Sequence, residues 1–222
     1  MRPSVKSWMP RKEGNVFGII GQPGSGKTVL AYNIADAIHG ERPVYCSMSK
    51  RYDRPIYYKP FKGRILDDSV VMGTDASIIY HAREWSNDRN IILSKIQSVR
   101  RHKNVDMIWD VQNSGDLDVT ILRQMDALIL KEPSILQGDY ERPAMRKRFE
   151  RADEVINQHG GWQLDNAYVV THKREFVLEE IDLPTYWNEE ISKDDLFRKG
   201  GWKIFRMRGE EFDKREEFGA TS

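Results

Sequence analysis

The amino-acid sequence predicts an α/β fold in which a mostly parallel central sheet is covered by helices on both faces. Three observations lead to this prediction. Short apolar runs rich in β-branched residues alternate with segments of helical periodicity, and a glycine-rich loop joins the first run to the first helix. The chain has 222 residues, of which 39% are hydrophobic, which is enough for one sizeable core and too few for two full domains.

Five apolar runs are predicted to form buried strands. They cover residues 15–20, 43–48, 68–73, 105–112 and 126–133. Two later segments, 166–172 and 175–181, resemble a hairpin that closes the sheet. The segment 49–63 is polar, aromatic and proline-rich, which is typical of a connecting loop.

Helices are predicted between these strands from apolar residues that recur every three or four positions. The first helix carries Leu30, Ile34 and Ile38 and is expected to end near Gly40. A similar apolar stripe predicts a helix over 87–103. A short helix around 116–124 and a charged helix over 142–158 are also predicted. Because strands and helices alternate in this way, successive strands are expected to lie parallel.

The stretch GQPGSGKTVL, residues 21–30, has the pattern of a phosphate-binding loop. Its three glycines allow a tight turn in which backbone N–H groups approach an anion without a Cβ in between. The Lys27 ammonium is expected to reach the β and γ phosphates, and the Thr28 hydroxyl is expected to ligate magnesium. The predicted ligands are therefore ATP and Mg²⁺. The predicted nucleotide-binding residues are Gly21, Gln22, Pro23, Gly24, Ser25, Gly26, Lys27, Thr28 and Val29.

Composition argues against several other classes of protein. No apolar run approaches the ~20 residues that span a bilayer, so no stable membrane insertion is expected. The N-terminus lacks the apolar centre of a signal peptide, and the single cysteine, Cys46, excludes an internal disulfide framework and a cysteine-based zinc site. A reducing cytoplasm is the expected compartment. The formal net charge of +1 gives no indication of a protein that coats nucleic acid.

A hydrolase with such a loop needs a carboxylate near the phosphates, either to hold magnesium or to orient the attacking water. Asp75 follows the third predicted strand at its carboxyl end, where ligands bind in open α/β sheets. Asp110 is the alternative, although Val111 and Gln112 follow it and leave it inside its strand. The sequence favours Asp75 as both metal ligand and catalytic residue.

The order of these motifs resembles that of the FtsK–HerA superfamily of ATP-driven DNA pumps, and especially its small viral genome-packaging ATPases. The resemblance covers about residues 15–195 and rests on GQPGSGKT, DSVVMGTDAS, VRRHKN, DMIWDVQNSGDLDVTILRQMDALIL and LPTYWNEEISK. It implies a three-layer P-loop domain of the ASCE/RecA-like type, and it implies that Gln112 senses the γ-phosphate. Where the family has paired acids this chain has Thr74 and Asp75. Either Asp75 then serves both the metal and the water, or Asp110 contributes, or hydrolysis is slow.

The resemblance also implies a homo-oligomeric ring, a pentamer or a hexamer, that acts on double-stranded DNA. Arg100 and Arg101 are candidates for a catalytic arginine finger that reaches a neighbour's nucleotide, and the alternative is that they only balance a helix dipole. Two basic groups are candidates for DNA contacts, the aromatic-basic loop near residue 60 and the helix over 142–151, which is otherwise a solvated face. Their residues are Lys59, Lys62, Arg146, Lys147 and Arg148.

The sequence thus predicts an ATP hydrolase that translocates double-stranded DNA and packages a viral genome into a preformed capsid. A capsid or membrane-vertex protein is a further expected partner, and the host cytoplasm or the virion is the expected location. Residues 1–14 are predicted to be an N-terminal arm, 15–195 the ATPase domain and 196–222 a charged tail. Three alternatives stay open: a filamentous-phage-type assembly ATPase, a P-loop kinase, and a nucleotide switch that regulates a partner.

Overall fold

The computed structural model describes residues 8, 14–46, 55, 57–60, 67–73, 100–117, 119–188 and 191. The strands of this part of the chain are β1 (Val16–Ile20), β2 (Val44–Cys46), β3 (Tyr58–Pro60), β4 (Ser69–Gly73), β5 (Val105–Val111), β6 (Ala127–Leu130), β7 (Ala167–Thr171) and β8 (Glu175–Leu178). They form a single sheet in the order β3-β2-β4-β5-β1-β6-β7-β8. Neighbours from β3 to β6 pair in parallel, whereas β7 pairs antiparallel with both β6 and β8.

The predicted α/β fold with a mostly parallel sheet is confirmed, and so is the closing hairpin of β7 and β8. All residues of β1, β4 and β5 are buried, as expected for parallel strands with helices on both faces. The loop predicted over 49–63 is wrong in part, because Tyr58–Pro60 forms β3 at the edge of the sheet. Three residues are too few for a readable periodicity, and an edge position tolerates proline, which has no N–H to donate.

The described helices are α1 (Lys27–Ile38), α2 (Val119–Arg123), α3 (Gln137–Tyr140) and α4 (Pro143–Asn157), with a 3₁₀ turn over Ser114–Asp116. Leu30 and Ile34 of α1 belong to the buried cluster on one face of the sheet. Phe149 and Ile156 of α4 belong to the cluster on the other face, so the molecule has three layers. Residues 100–103 form a turn, and the rest of the helix predicted over 87–103 lies outside the described residues.

A carboxylate on α1 fastens two distant segments to the helix that follows the glycine loop. Asp36 accepts hydrogen bonds from the hydroxyls of Tyr57, Tyr58 and Tyr186, each at 2.8 Å. Burial raises the pKa of all three tyrosines well above its ordinary value, so the hydroxyls remain donors. These hydrogen bonds hold β3 and the segment 183–187 (LPTYW) against α1.

The N-terminal region predicted to be an arm contributes to the core. The Trp8 ring is buried and meets Phe17 and Phe176 edge-on, with ring centroids 6.2 and 5.6 Å apart. Close to the other end of the predicted domain, Ile191 is also buried. The domain limits themselves, and the charged tail over 196–222, stay predictions.

Candidate functional site

The loop between β1 and α1 has the backbone shape that a phosphate site requires. Gly24 has a φ of 80° and Gly26 a φ of 86°, a region that side chains disfavour. A Cβ added at Gly24 would have no atom within 4 Å, so the loop borders open space there. A concave loop that leads into the first turn of a helix is suited to bind an anion. Contacts of residues 21–29 with a nucleotide stay a prediction.

The side chain of Lys27 folds back across this loop. It is the first residue of α1, it is buried, and its Nζ donates to the carbonyl oxygen of Gln22 at 2.8 Å. This contact holds the ammonium beside the glycine turn, where a phosphate oxygen can become a further acceptor. The position agrees with the role expected of Lys27.

The structure brings Asp110 next to Thr28, the residue that follows Lys27 in the first turn of α1. The Thr28 hydroxyl donates to Oδ2 of Asp110 at 3.2 Å. Asp110 is inside β5, as its sequence context indicated, and it pairs in register with Ile19 of β1. It is 1% exposed, so the carboxylate lies beneath the loop and not at the surface. A hydroxyl and a carboxylate are the oxygen donors that Mg²⁺ prefers, and together with Lys27 they fit a magnesium-bound nucleoside triphosphate.

Asp75, the carboxylate that the sequence favours, lies outside the described residues. The strand that precedes it, β4, ends at Gly73. In the sheet β5 separates β4 from β1, so Asp75 follows a strand one position further from the loop than the strand of Asp110. Its role as metal ligand and catalytic residue stays a prediction.

Gln112 lies at the same edge of the sheet as the glycine loop. It directly follows β5, and the N–H of Gly21 meets the carbonyl of the preceding residue, Val111, at 3.4 Å. Its own carbonyl accepts from Nε2 of Gln137 at 3.2 Å, while the residue as a whole is exposed. The structure therefore brings Gln112 next to the start of the loop, and its role as γ-phosphate sensor stays a prediction.

A buried polar network, which the sequence did not reveal, holds residues 112–114 in place through hydrogen bonds. Glu141 accepts from the N–H of Ser114 at 3.1 Å and also pairs with the hydroxyl of that residue. Nε2 of Gln137 donates to Glu141 at 2.9 Å. All three residues are buried, and such networks fix geometry when their members are bonded. In the sequence Glu141 and Gln137 read as ordinary surface residues, because their partners are distant along the chain.

Lys131 was also missed. It follows β6 directly, is fully buried, and lies beside the loop, since a Cβ at Gly21 would be 2.7 Å from the Lys131 Cβ. Burial is the main cause that lowers the pKa of Lys131 to about 8, and the charge of Lys27 acts in the same direction. The nearby carboxylates Asp165 and Glu132 oppose this shift. A lysine directly after an apolar strand was the one sequence feature that marked it.

Arg100 and Arg101 precede β5, so they lie at the amino ends of the parallel strands, whereas the glycine loop lies at the carboxyl ends. Arg100 is buried and donates to Asp126 Oδ2 and to the Gln124 carbonyl, both at 3.3 Å. The side chain of Arg101 is 63% exposed and meets the other oxygen of Asp126 at 3.3 Å. Within one subunit neither arginine meets the glycine loop. A finger that acts on a neighbouring subunit stays a prediction, and exposure favours Arg101 for that role.

The basic groups expected to contact DNA lie on two different elements. Lys59 is exposed on the edge strand β3, and Lys62 lies outside the described residues. Arg146, Lys147 and Arg148 are exposed on α4. Arg148 pairs with Glu175 at 2.5 Å, so part of this helix is the salt-bridged surface that the sequence allowed.

Comparison with solved structures shows the fold of P-loop NTPases. The chain superposes on B204, the DNA-packaging ATPase from Sulfolobus turreted icosahedral virus, with a TM-score of 0.56 and 11% identity, over 77% of this chain and 100% of B204. The genome-packaging NTPase B204 from Sulfolobus turreted icosahedral virus 2, in complex with sulfate, gives a TM-score of 0.53 and 12% identity, over 79% and 100% of the two chains. The same protein in complex with ATP-gammaS gives a TM-score of 0.53 and 10% identity, over 75% of this chain and 97% of that chain.

No protein-family model matches the sequence, and no curated protein is significantly similar to it. The structural neighbours confirm the predicted P-loop NTPase fold. Within the described part of the chain, no helix combines the length and the apolar character needed to cross a bilayer.

Proposed function

We propose that this chain is an ATP hydrolase that translocates double-stranded DNA as a ring and packages a viral genome. One observation carries the hydrolase part: Lys27, Thr28 and the buried Asp110 converge on one glycine loop. The packaging part is supported by the fold shared with B204, whose name describes it as a DNA-packaging ATPase. A capsid or membrane-vertex protein is the proposed partner, and the host cytoplasm or the virion is the proposed location.

The residues of the site divide the chemistry of hydrolysis between them. The glycine turn and the Lys27 ammonium bind the phosphates, and Thr28 and Asp110 hold magnesium, which neutralises charge on the phosphate oxygens when bound. We assign to Asp75 the orientation of the attacking water, and to Gln112 the sensing of the γ-phosphate from its position beside Gly21. In this proposed division Asp110 supplies the second carboxylate, in place of the acid that the family has at the position of Thr74.

Force on DNA requires that hydrolysis and DNA contact be linked across subunits. The near-neutral net charge of +1 implies few phosphate contacts per subunit, so DNA affinity should arise mainly in the assembled ring. Arg101 is exposed at the amino ends of the parallel strands, and it is proposed to act as an arginine finger on the nucleotide of a neighbouring subunit.

The test is ATP turnover with and without duplex DNA, measured on protein whose subunit number is determined by native mass spectrometry. Duplex DNA should stimulate turnover, and the stimulation should fade as salt rises, because bound counterions are released on binding. Lys27→Ala is the control and should be inactive under all conditions. Turnover that ignores DNA at every salt concentration, in an assembled ring, would reject translocation and favour a kinase or a nucleotide switch.

A further inference from the structure

A short turn about 140 residues further along the chain lies against the glycine loop. This turn, residues 163–166, precedes β7. The carbonyl oxygen of Leu164 lies 3.0 Å from the position that a Cβ on Gly26 would occupy. Asn166 is buried, and its side chain bonds the Gly161 carbonyl at 2.8 Å and the Gln163 N–H at 3.0 Å. The 163–166 turn is therefore held firmly beside the loop.

The Lys131 ammonium fastens this turn from below. Its Nζ donates to the carbonyl of Leu164 at 2.8 Å and to that of Asn166 at 2.5 Å. Burying an ammonium is unfavourable unless it is fully hydrogen-bonded, and here backbone carbonyls of the 163–166 turn supply acceptors. These bonds fix the position of the turn relative to Gly26.

The direction of a bound nucleotide follows from the order of the strands. β1 lies between β5, which carries Asp110 and leads to Gln112, and β6, which leads to Lys131. The terminal phosphate must lie on the β5 side, because the groups proposed for hydrolysis are there. With the terminal phosphate placed there, a nucleoside that extends away from these groups lies on the β6 side, beside the 163–166 turn.

Leu164 presents an apolar side chain at this place. The residue is 67% exposed although its backbone is bonded to a buried lysine and its carbonyl faces Gly26. An exposed leucine on a fixed backbone loses little freedom when an apolar surface covers it. The faces of a ribose and a base are such a surface.

We propose that the 163–166 turn is the nucleoside-binding wall of the site, with Leu164 packing against the base or ribose of a bound nucleoside triphosphate. The inference rests on the proposed nucleotide binding at the glycine loop. It assigns a ligand contact to a segment about 140 residues away from the phosphate loop in the sequence.

The test compares ATP with inorganic tripolyphosphate, which offers the same phosphates without a nucleoside. Dissociation constants of both, with magnesium, are measured by calorimetry for the wild-type chain, for Leu164→Ser and for the matched control Leu136→Ser. Leu136 is another exposed leucine, 58% exposed, on a different loop. Leu164→Ser should weaken ATP binding by about tenfold and leave tripolyphosphate binding within about twofold, because it removes only apolar contact. Leu136→Ser should change neither.

Each contrary result has a distinct meaning. Equal weakening of both ligands by Leu164→Ser overturns the nucleoside contact, since the change then acts through the phosphate loop. Unchanged ATP affinity in that variant overturns it as well, while leaving the proposed function intact. If the wild-type chain binds neither ligand, the proposed nucleotide site is wrong and the inference falls with it.

Discussion

The hydroxyl of Thr28, in the first turn of α1, lies 3.2 Å from Oδ2 of Asp110 in β5, the strand that pairs with β1. The carboxylate is buried and touches the side chain expected to ligate magnesium, so it is positioned to bind the ion directly or through a water. The sequence favours Asp75 for both metal binding and water activation, and this contact makes Asp110 the better candidate for the metal. Asp110 holds the metal in the proposal, and Asp75 orients the water.

The first prediction concerns the magnesium requirement. Asp110→Asn should raise the magnesium concentration that gives half-maximal ATP turnover by about tenfold or more, because the amide keeps the contact with Thr28 but removes the charge. Asp75→Asn should lower kcat with the magnesium requirement nearly unchanged. Magnesium titrations of steady-state turnover check both, with Asp139→Asn, an exposed acid, as the control. A shifted requirement in Asp75→Asn alone would return the metal to Asp75.

The two arginines should differ in what their loss does to the fold. Arg100→Ala should lower the free energy of unfolding by about 3 kcal/mol, because it leaves Asp126 without its buried partner. Arg101→Ala should cost no more than about 0.5 kcal/mol, because its pair with Asp126 is exposed. Urea denaturation at neutral pH measures both changes. Equal losses would contradict the structural role given to Arg100.

If Arg101 acts on a neighbour, mixing should restore activity. Arg101→Ala rings and Lys27→Ala rings should each be inactive, yet a mixed ring pairs an intact loop with an intact arginine and should recover turnover. Native mass spectrometry establishes that the rings have mixed. Inactive mixed rings would remove Arg101 from the catalytic residues.

The hydroxyl cluster around Asp36 should contribute to stability. Tyr186→Phe removes the hydroxyl that donates to Asp36 at 2.8 Å and lies 3.0 Å from the Tyr58 hydroxyl, and should cost about 1–2 kcal/mol of unfolding free energy. Tyr140→Phe is the matched control, since Tyr140 is 76% exposed, and should be nearly neutral. Chemical denaturation of the two variants gives the comparison. Similar values for both would show that the cluster does not stabilise α1.

Lys131 should make stability depend on pH in the alkaline range. Its pKa falls from 10.5 to about 8 in the folded chain, so between these values the unfolded chain binds more protons and the free energy of unfolding rises with pH. Relative to Lys131→Met, the wild-type chain should gain on the order of 2 kcal/mol from pH 7 to pH 10. Urea denaturation across this range tests the difference. If the difference in unfolding free energy between the wild-type chain and Lys131→Met does not change with pH, Lys131 keeps its ordinary pKa.

DNA stimulation should identify which basic group faces the nucleic acid. Replacing Lys59 and Lys62 together by Ala should reduce stimulation of turnover by duplex DNA and leave basal turnover unchanged, if the β3 edge faces the channel. Replacing Arg146, Lys147 and Arg148 is the parallel experiment for α4. DNA-stimulated turnover of both variants is measured at low, middle and high ionic strength. Loss of stimulation only in the α4 variant would move the DNA contact to that helix.

Much of the fold follows from local pattern. The glycine loop, most of the apolar strands and the helix α1 were predicted, because periodicity and glycine conformation act over a few residues. Strand β3 was missed, since its pairing with β2 and the burial of Tyr58 against α1 depend on residues far away in the sequence. The role of Trp8 in the core was missed for the same reason.

The sequence by itself determined the phosphate loop, with Lys27 and Thr28 at fixed spacing, because that chemistry is contained in eight consecutive residues. Only the tertiary structure decided which side chains complete the site. Asp110 reaches Thr28 because β5 lies next to β1. Lys131 lies beside the loop because β6 is the other neighbour of β1, and its ammonium bonds the Leu164 carbonyl that faces Gly26. Strand order is set by packing of the whole core, and no local pattern in the chain encodes it.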